Sequence, residues 1–237
     1  MQTIATTTPT ATTDVLTLSR LERFRRAFAA LSRLVANPDE TDQVLEFTTN
    51  VNAGTLPARI SKFYADPMGQ RLYAERRAID SRVDLDALAA LPDGTLGHAY
   101  AQFLRSRGLT PDVFDGSPAN IGDERVAYVV QRMRQTHDLW HVVTGHDTDP
   151  RGEIALQAFT YGQVGAPASL ILAAVGTVKG TRGVRALPGE VLAAYRAGVR
   201  ADRLTVFPWE DHWATSLDDV REMLNIVPVA HRARAAA

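Results

Sequence analysis

The stretch from Ile154 to Val178 contains 25 consecutive residues without a charged side chain, and it restricts the fold of this chain more than any other feature. About 20 apolar residues are enough to span a bilayer, so the stretch is long enough for a membrane helix. Polar or helix-breaking residues interrupt it, however, namely Gln157, Thr160, Tyr161, Gln163 and Pro167. A helix that is apolar on every side must be surrounded by other helices or by an apolar ligand. The stretch therefore predicts a buried central helix, or a pair of helices, rather than a membrane span.

The rest of the chain carries helical patterns. Ser19 and Glu22 have the spacing of a capping box, and apolar residues then recur every three or four positions until Asn37-Pro38. These apolar residues are Leu21, Phe24, Phe28, Leu31 and Val35. Similar patterns predict helices over residues 43–49, 56–64, 68–79, 85–91, 188–204 and 216–224, with a further helix around Tyr100. The sequence shows neither strand alternation nor an internal repeat. The predicted fold class is therefore all-α, a single many-helix bundle with a buried apolar central helix.

Both ends of the chain are expected to be tails. Residues 1–18 are rich in threonine and contain no arginine or lysine. This composition fits neither a secretory signal nor an arginine-rich transit peptide, and it predicts disorder. The helical domain is expected over residues 19–228, followed by a flexible tail over residues 229–237. The expected location is the cytoplasm, including the surface of the cytoplasmic membrane.

Charge and cysteine content exclude several classes of protein. The net charge of −1 offers no general attraction to nucleic acid, so no nucleic-acid partner is expected. The chain contains no cysteine, which excludes disulfides, thiolate metal sites and a cysteine nucleophile. Any bound metal must therefore have nitrogen and oxygen ligands.

The sequence HDLWHVVTGHDTDPRGE, which begins at His137, contains the main candidate site. His137 and His141 are four residues apart and lie on one face of a helix, while Asp138 lies three residues before His141 on the same arc. We expect this helix to begin near Asp123 and to run past the histidines, with both imidazoles on its inward side. A turn-rich loop then leads to Glu153, at the start of the uncharged stretch. Two imidazoles and two carboxylates brought together across a helix–loop–helix predict a divalent-metal site.

Other interpretations of these residues stay open at the level of sequence. An inward aspartate beside two histidines also occurs in salt-bridged clusters that hold no metal. Two histidines with one or two carboxylates suit zinc, manganese or ferrous iron, and open coordination positions would mark a catalytic role. His146 and Asp147 are expected to be exposed loop residues rather than further ligands. Arg132 and Arg134 suit either contact with an anionic substrate group or a solvated helix face.

The pattern His-Asp-x-x-His, followed after eleven residues by Glu, resembles the signature of the coenzyme Q (ubiquinone) biosynthesis family. Here it reads His137, Asp138, His141 and Glu153, with the family's spacing. Further segments are similar to that family, namely residues 82–112, 123–138 and 209–224. The resemblance covers roughly residues 20–228 and is that of a prokaryotic-type member.

The resemblance implies a helical protein that holds zinc, iron or manganese through His137, Asp138, His141 and Glu153. It implies oxidative decarboxylation of a prenylated aromatic acid or a related aromatic or lipid-like metabolite, in which the carboxylate at ring carbon C1 is replaced by a hydroxyl. The alternative is a non-catalytic lipid-binding scaffold that organises other quinone-biosynthesis enzymes. A homo-oligomer, isoprenoid binding and peripheral membrane association are also expected. Residues 154–178 are the candidate shelter for a prenyl tail.

A different enzyme class also uses an adjacent His-Asp pair. These metal phosphohydrolases need a further histidine upstream and an aspartate downstream. His98 and Asp202 are available, but they stand in no matching context, so this class is disfavoured.

Overall fold

The chain folds into a bundle of α-helices in a computed structural model that describes residues 13–37, 41–114, 118, 120–179 and 187–229. Twelve α-helices lie within these residues: α1 Arg20–Ala36, α2 Thr41–Asn52, α3 Leu56–Ala65, α4 Pro67–Ala74, α5 Leu85–Ala89, α6 Leu96–Arg107, α7 Glu124–Gln135, α8 His137–Thr144, α9 Pro150–Val164, α10 Pro167–Lys179, α11 Pro188–Arg200 and α12 Leu217–Met223. Short 3-10 turns occupy Pro111–Phe114, Leu204–Val206 and Trp209–Asp211. In this described part of the chain, the β-type pairing is limited to one bridge between Thr95 and Ser216. The predicted all-α fold is confirmed.

Helix α1 begins with the predicted capping box. The Ser19 hydroxyl accepts the backbone N–H of Glu22 at 3.2 Å, and the Glu22 carboxylate accepts the backbone N–H of Ser19 at 3.1 Å. The helix buries two small residues, Ala27 and Ala30, in an apolar cluster that includes Phe47 of α2. Four of its large apolar residues are more than half exposed, namely Leu21, Phe24, Phe28 and Val35, whereas Leu31 and Leu34 are partly buried against the cluster. Helix α1 therefore packs on the bundle through a narrow strip and presents an apolar face outward.

The long uncharged stretch forms the predicted pair of helices, α9 and α10. Gly165, in the left-handed region at φ 62°, ends α9, and Pro167 begins α10. Helix α9 is central, because Leu156 and Phe159 have no exposed surface and lie in the main apolar cluster. Core packing thus accounts for its apolar character. Helix α10 is only partly covered, since Leu170 is 47% exposed. None of the helices in the described residues has the length and hydrophobicity needed to cross a membrane.

The helix predicted to run from Asp123 past the histidines is divided in two, so that prediction was wrong. Helix α7 ends at Gln135 and α8 begins at His137, with Thr136 between them. The Thr136 hydroxyl and its backbone N–H both donate to the carbonyl of Arg132, each at 2.9 Å. A threonine hydroxyl that bonds to the carbonyl four residues earlier tends to bend a helix, which is the physical reason for the break.

Two other helices, α4 and α11, end at least four residues before their predicted ends. Helix α4 ends at Ala74 instead of continuing to residue 79, because Arg76 takes up the left-handed conformation with φ 52°. Helix α11 ends at Arg200 instead of residue 204, and Leu204 begins a 3-10 turn.

Residues 13–18 pack against the bundle, although the sequence pattern places them in a disordered tail. Val15 is 1% exposed and Leu18 is 9% exposed. The backbone N–H of Val15 donates to the carbonyl of Asn120 at 2.9 Å. Both side chains belong to an apolar cluster with residues of α3 and α7. The remainder of the predicted first tail, residues 1–12, and residues 230–237 lie outside the described residues.

Arg132 of α7 is buried, so the expectation of a solvated helix face was wrong for it. Its guanidinium donates to both carboxylate oxygens of Glu210, at 2.7 and 3.1 Å, and to the carbonyl of Phe207 at 3.0 Å. A buried charge is tolerated when it is paired and hydrogen-bonded in this way. The ion pair joins α7 to the segment between α11 and α12.

Candidate metal centre

The loop between α8 and α9 brings the two ends of the motif together. Gly145, at φ 73°, ends α8, and its N–H donates to the carbonyl of His141 at 2.8 Å. Asp149 caps α9, with its carboxylate accepting the N–H of Gly152 at 2.7 Å. A Cβ atom on Gly152 would lie 2.0 Å from the carbonyl oxygen of Asp147, so this close approach of loop and helix requires glycine. The tight connection places the first turn of α9 beside α8.

Three of the four predicted ligands come together at this point. Potential ligand atoms of His137, His141 and Glu153 all lie within 4.8 Å of one another. In the part of the chain that the structure describes, this is the one grouping of three or more histidine, aspartate or glutamate side chains with such geometry. The side chain of His141 has no exposed surface, whereas those of His137 and Glu153 are 34% and 39% exposed. The group is therefore buried on one side and open to solvent on the other.

One ring nitrogen of His141 is hydrogen-bonded and the other is not. Its Nδ1 lies 2.9 Å from the carbonyl oxygen of His146, so Nδ1 carries the proton and donates it to that oxygen. Its Nε2 is 3.2 Å from a carboxylate oxygen of Glu153, but the contact lacks the alignment of a hydrogen bond, and this buried nitrogen has no hydrogen-bonding partner. A histidine whose Nδ1–H is fixed by a backbone carbonyl presents the Nε2 lone pair to a metal. The residues present therefore fit a metal ion.

Asp138, the fourth predicted ligand, lies beside His137 rather than in the three-residue group. Its carboxylate is 3.6 Å from Nδ1 of His137. Burial by itself lowers the pKa of His137, but the contact with Asp138 and the negative charges of Glu153 and Asp138 together raise that pKa above its usual 6.5. The carboxylates thus increase the basicity of the imidazole, which also makes it a better metal ligand.

One wall of the centre comes from α6, which the sequence pattern did not connect with the motif. The ring of Phe103 stacks on that of His141, with 5.6 Å between centroids, and the guanidinium of Arg107 lies 4.0 Å from the centroid of the same phenyl ring. Arg107 also pairs with Asp147 and holds the pKa of that carboxyl below its usual value. The spacing of Phe103 and Arg107 is common on helices, so no local signal marks them. Asp147 is mostly exposed, as expected, and is not part of the three-residue group.

The aromatic segment before α12 anchors the end of the chain. Trp209 has no exposed surface, and Trp213 stacks on Tyr100 with 5.5 Å between centroids. Burial, together with the negative charge of Asp138, raises the pKa of Tyr100, so its hydroxyl stays neutral near the centre. Trp213 and Glu210 also line a cavity of about 380 Å³, which does not include the metal-centre residues.

The sequence profile of one family, described as coenzyme Q (ubiquinone) biosynthesis protein Coq4, matches residues 13–230 of this chain. The chain belongs to the Coq4 family. This confirms the resemblance found in the sequence, and the match covers the motif and all of the described residues.

Coq4 relatives from animals align over most of their length. The mitochondrial ubiquinone biosynthesis protein COQ4 homologue of zebrafish, Danio rerio, is 35% identical over 193 residues, which cover 80% of this chain and 71% of the relative. The rat homologue, from Rattus norvegicus, is 31% identical over 219 residues, covering 91% and 82%. The crystal structure of a protein assigned to ubiquinone biosynthesis in Nostoc punctiforme matches with a TM-score of 0.67 and 28% identity, over 85% of this chain and 97% of that one.

Proposed function

We propose that this Coq4-family protein is a divalent-metal-dependent oxidative decarboxylase. It replaces the carboxylate at ring carbon C1 of a prenylated aromatic acid, or of a related aromatic or lipid-like metabolite, with a hydroxyl. The observation that carries the proposal is the buried Nε2 of His141, which lacks a hydrogen-bonding partner and belongs to a group with His137 and Glu153. An unsatisfied buried nitrogen is costly in a purely structural cluster, and a metal ion would satisfy it. This supports a metal centre over a salt-bridged cluster.

The proposed metal ligands are His137, His141 and Glu153. Asp138 belongs to the centre through its contact with the ring of His137. Of zinc, manganese and ferrous iron, this set favours ferrous iron. Two histidines and one carboxylate with open positions are typical of non-haem iron oxygenases. Such an ion would supply a redox-active Lewis acid with positions open to substrate.

The residues around the centre control access and ring orientation. His137 and Glu153 are partly exposed, so a substrate carboxylate would approach from their side. Phe103 and the buried face of α8 close the opposite side and exclude water from Nε2 of His141. The Asp138 carboxylate lies 3.6 Å from Nδ1 of His137, so its negative charge favours a proton on that nitrogen and leaves Nε2 to face a metal.

The proposed reaction converts an aromatic acid, dioxygen and two hydrogen equivalents from a reductant into a phenol, carbon dioxide and water. The test is to incubate iron-, manganese- or zinc-reconstituted protein with a prenylated 4-hydroxybenzoate-type acid and ascorbate in air, and to analyse the products by mass spectrometry. We expect loss of a carboxyl and gain of a hydroxyl. Glu153→Ala should abolish the product, and Glu222→Ala on α12 should retain it. Tight binding of the acid without turnover under all three metals would reject catalysis.

A second candidate role is a non-catalytic lipid-binding scaffold that brings quinone-biosynthesis enzymes together. Exposed large apolar residues on α10 and α11 favour it, namely Leu170, Val178, Leu192 and Val199. Clusters of exposed apolar residues are typical of surfaces that bind other proteins. They equally support contact with a second copy of this chain, as expected for a homo-oligomer. Light scattering tests that expectation, and a monomer at every concentration would be the contrary result.

We further propose that the protein is cytoplasmic and associates peripherally with a membrane through α1. Phe24 and Phe28 are 67% and 64% exposed, and their rings lie 6.3 Å apart. Arg25 and Arg26 are exposed next to them in the sequence. A helix with an apolar aromatic face and arginines on the polar side is typical of segments that lie in the interface of an anionic bilayer.

A further inference from the structure

A cavity of about 320 Å³ lies between α3, α7, the end of α9 and α11. Its walls are largely apolar, with Leu56, Ile60, Phe63, Val129, Met133 and Val164 among the lining residues. Tyr161 and Tyr195 also line it, and their rings stack with 5.8 Å between centroids. None of the described metal-centre residues lines this cavity. Gly162 lies nine residues after Glu153 on α9, or about 13 Å along the helix axis at 1.5 Å per residue, so the two sites are separate.

The charged side chains that line the cavity are all cationic, namely Arg59, Lys62 and Arg203. Lys62 is exposed to solvent. Arg203 already has partners, because it donates to the carboxylate of Asp66 at 3.2 Å and to the carbonyl of Lys62 at 3.1 Å. Arg59 differs from both, because its Nε and Nη2 atoms are buried and have no hydrogen-bonding partner.

The surroundings of Arg59 offer no acceptor to its Nε and Nη2 atoms. Burial lowers the pKa of Arg59 to about 10, and the described residues place no carboxylate against it to offset that effect. The guanidinium nevertheless stays charged at neutral pH. Gln163 also lines the cavity, but the hydrogen bonds of its amide group run elsewhere, to the carbonyls of Gly198 and Ala201 and from the N–H of Leu204. Buried, unpaired donors of a cation are costly, and a bound anion would supply the missing partner of Nε and Nη2.

We propose that this cavity binds a compact organic carboxylate, with its carboxyl group on the guanidinium of Arg59 and its apolar body against Ile60, Val129 and Met133. A guanidinium presents parallel N–H donors that match the two oxygens of a carboxylate. The cavity volume lies near the lower end of the range for small-molecule pockets, about 300–1,000 Å³. A one- or two-ring aromatic acid or a medium-chain fatty acid fits this volume better than a polyprenylated molecule. The proposal does not rest on the decarboxylase function.

Calorimetric titration of the full chain tests the proposal, with chelator in the buffer so that the metal centre takes no part. The probes are 1-naphthoate, octanoate and the neutral analogue 1-naphthamide. We expect at least one acid to bind, and the amide to bind at least tenfold more weakly than naphthoate. Arg59→Met should weaken binding of the acid at least tenfold. Arg196→Met, which removes an exposed arginine of α11, should leave it unchanged.

The comparison of naphthoate with octanoate identifies the chemical class of the ligand. Tighter binding of naphthoate assigns an aromatic acid, and tighter binding of octanoate assigns an aliphatic one. Equal and measurable affinity for naphthoate and naphthamide would overturn the proposal. Binding of neither acid would also overturn it, as would inorganic phosphate that competes as well as either acid. These binding measurements use the wild-type protein, so they do not depend on the folding of any variant.

Thermal unfolding of the ligand-free Arg59→Met variant separates binding from packing. Methionine keeps an unbranched apolar stem but removes the unpaired buried charge, so we expect an unchanged or higher melting temperature. A lower melting temperature together with unaltered affinity for the acids would assign Arg59 to packing alone and reject the carboxylate site.

Discussion

The carbonyl oxygen of His146 lies 2.9 Å from Nδ1 of His141 and decides which nitrogen of that imidazole carries the proton. With Nδ1 donating to this carbonyl, Nε2 is left as an acceptor in a buried position. The loop after α8 thus prepares the histidine for a metal, and Phe103 holds the plane of the ring by stacking on it. The centre therefore depends on backbone geometry and on α6 as well as on the motif itself.

The first prediction is that the purified protein binds about one divalent cation per chain and that His141→Ala abolishes this binding. Loss of an outer partner alone typically costs 10–100-fold in metal affinity, so loss of a ligand should cost more than about 100-fold. Elemental analysis measures the metal content. Metal at about 100 times its dissociation constant should also stabilise the native protein by roughly 2.7 kcal/mol, which a melting curve with and without chelator detects.

The matched control for this prediction is His212→Ala. His212 lies outside the donor group, with its Nδ1 3.2 Å from the Thr215 hydroxyl. This variant should keep its metal. Equal metal content in the wild type and in His141→Ala would contradict the assignment.

The second prediction concerns alkaline pH. Burial raises the pKa of Tyr128 to about 12, and its hydroxyl donates to the carbonyls of Leu72 and Arg77 at 2.7 and 3.0 Å. In the unfolded chain the phenol ionises near pH 10, so it stabilises the native state below pH 10 and loses this effect as the pH rises towards 12. A shift of two units corresponds to roughly 2–3 kcal/mol as an upper bound.

Urea denaturation of the wild type and of Tyr128→Phe checks this dependence. The wild type should be the more stable protein at pH 8, and the difference should shrink as the pH approaches 12. A difference that stays constant over this range would show that the Tyr128 phenol is not linked to folding.

The local sequence pattern predicts much of the fold and the core of the site. Apolar spacing predicts most helices, and the four-residue spacing of His137 and His141 with the tight turn before Glu153 predicts their proximity. The motif predicts Asp138 as a fourth ligand, yet Asp138 is rotated by about 100° from His137 on the helix, whereas His141 is rotated by only about 40°. The structure accordingly places its carboxylate beside the ring of His137 rather than in the three-residue group.

The spacing of apolar residues along the sequence could not predict contacts between distant segments. Arg132 meets Glu210 across 78 residues, and Arg107 meets Asp147 across 40. An arginine in a helix shows the same local pattern whether it faces solvent or a buried carboxylate. The spacing of apolar residues also failed to predict the break at Thr136. The apolar stripe continues across this position, but a hydrogen bond from the Thr136 hydroxyl to the carbonyl of Arg132 bends the helix there.

The third prediction is that Glu210→Gln destabilises the protein strongly. The substitution leaves the guanidinium of Arg132, which is 2% exposed, without its counter-charge. Breaking a buried ion pair by removing one partner typically costs about 3–5 kcal/mol. Chemical denaturation measures the change, with Glu222→Gln on the exposed side of α12 expected to stay within roughly 0.5 kcal/mol of the wild type. A loss of stability in Glu210→Gln as small as that in Glu222→Gln would contradict the stabilising role of the Arg132–Glu210 ion pair.

The fourth prediction concerns the close approach of α9 and α11. A Cβ atom on Gly198 would lie 2.2 Å from the carbonyl oxygen of Phe159, so Gly198→Ala forces the two helices apart. Overpacking of this kind costs about 1–3 kcal/mol. Gly189→Ala in the same helix meets no atom within 4 Å and should instead stabilise by about 0.4–1 kcal/mol. Urea denaturation should therefore shift the two midpoints in opposite directions, and a shift in the same direction would contradict this packing.

The last prediction is that Phe24 and Phe28 of α1 hold the protein on anionic membranes. Replacing both by serine removes two largely exposed aromatic rings, each of which contributes about 1.5–3 kcal/mol when fully buried in an apolar environment. Because about 1.4 kcal/mol corresponds to a tenfold change in affinity, co-sedimentation with phosphatidylserine-containing vesicles should fall at least tenfold. Met223→Ser, which changes a half-exposed apolar residue on α12, is the matched control and should bind as the wild type does. Equal sedimentation of the wild type and of the double variant would show that α1 is not the membrane-binding element. Binding that persists with neutral lipids at high salt would show that the arginines of α1 do not contribute.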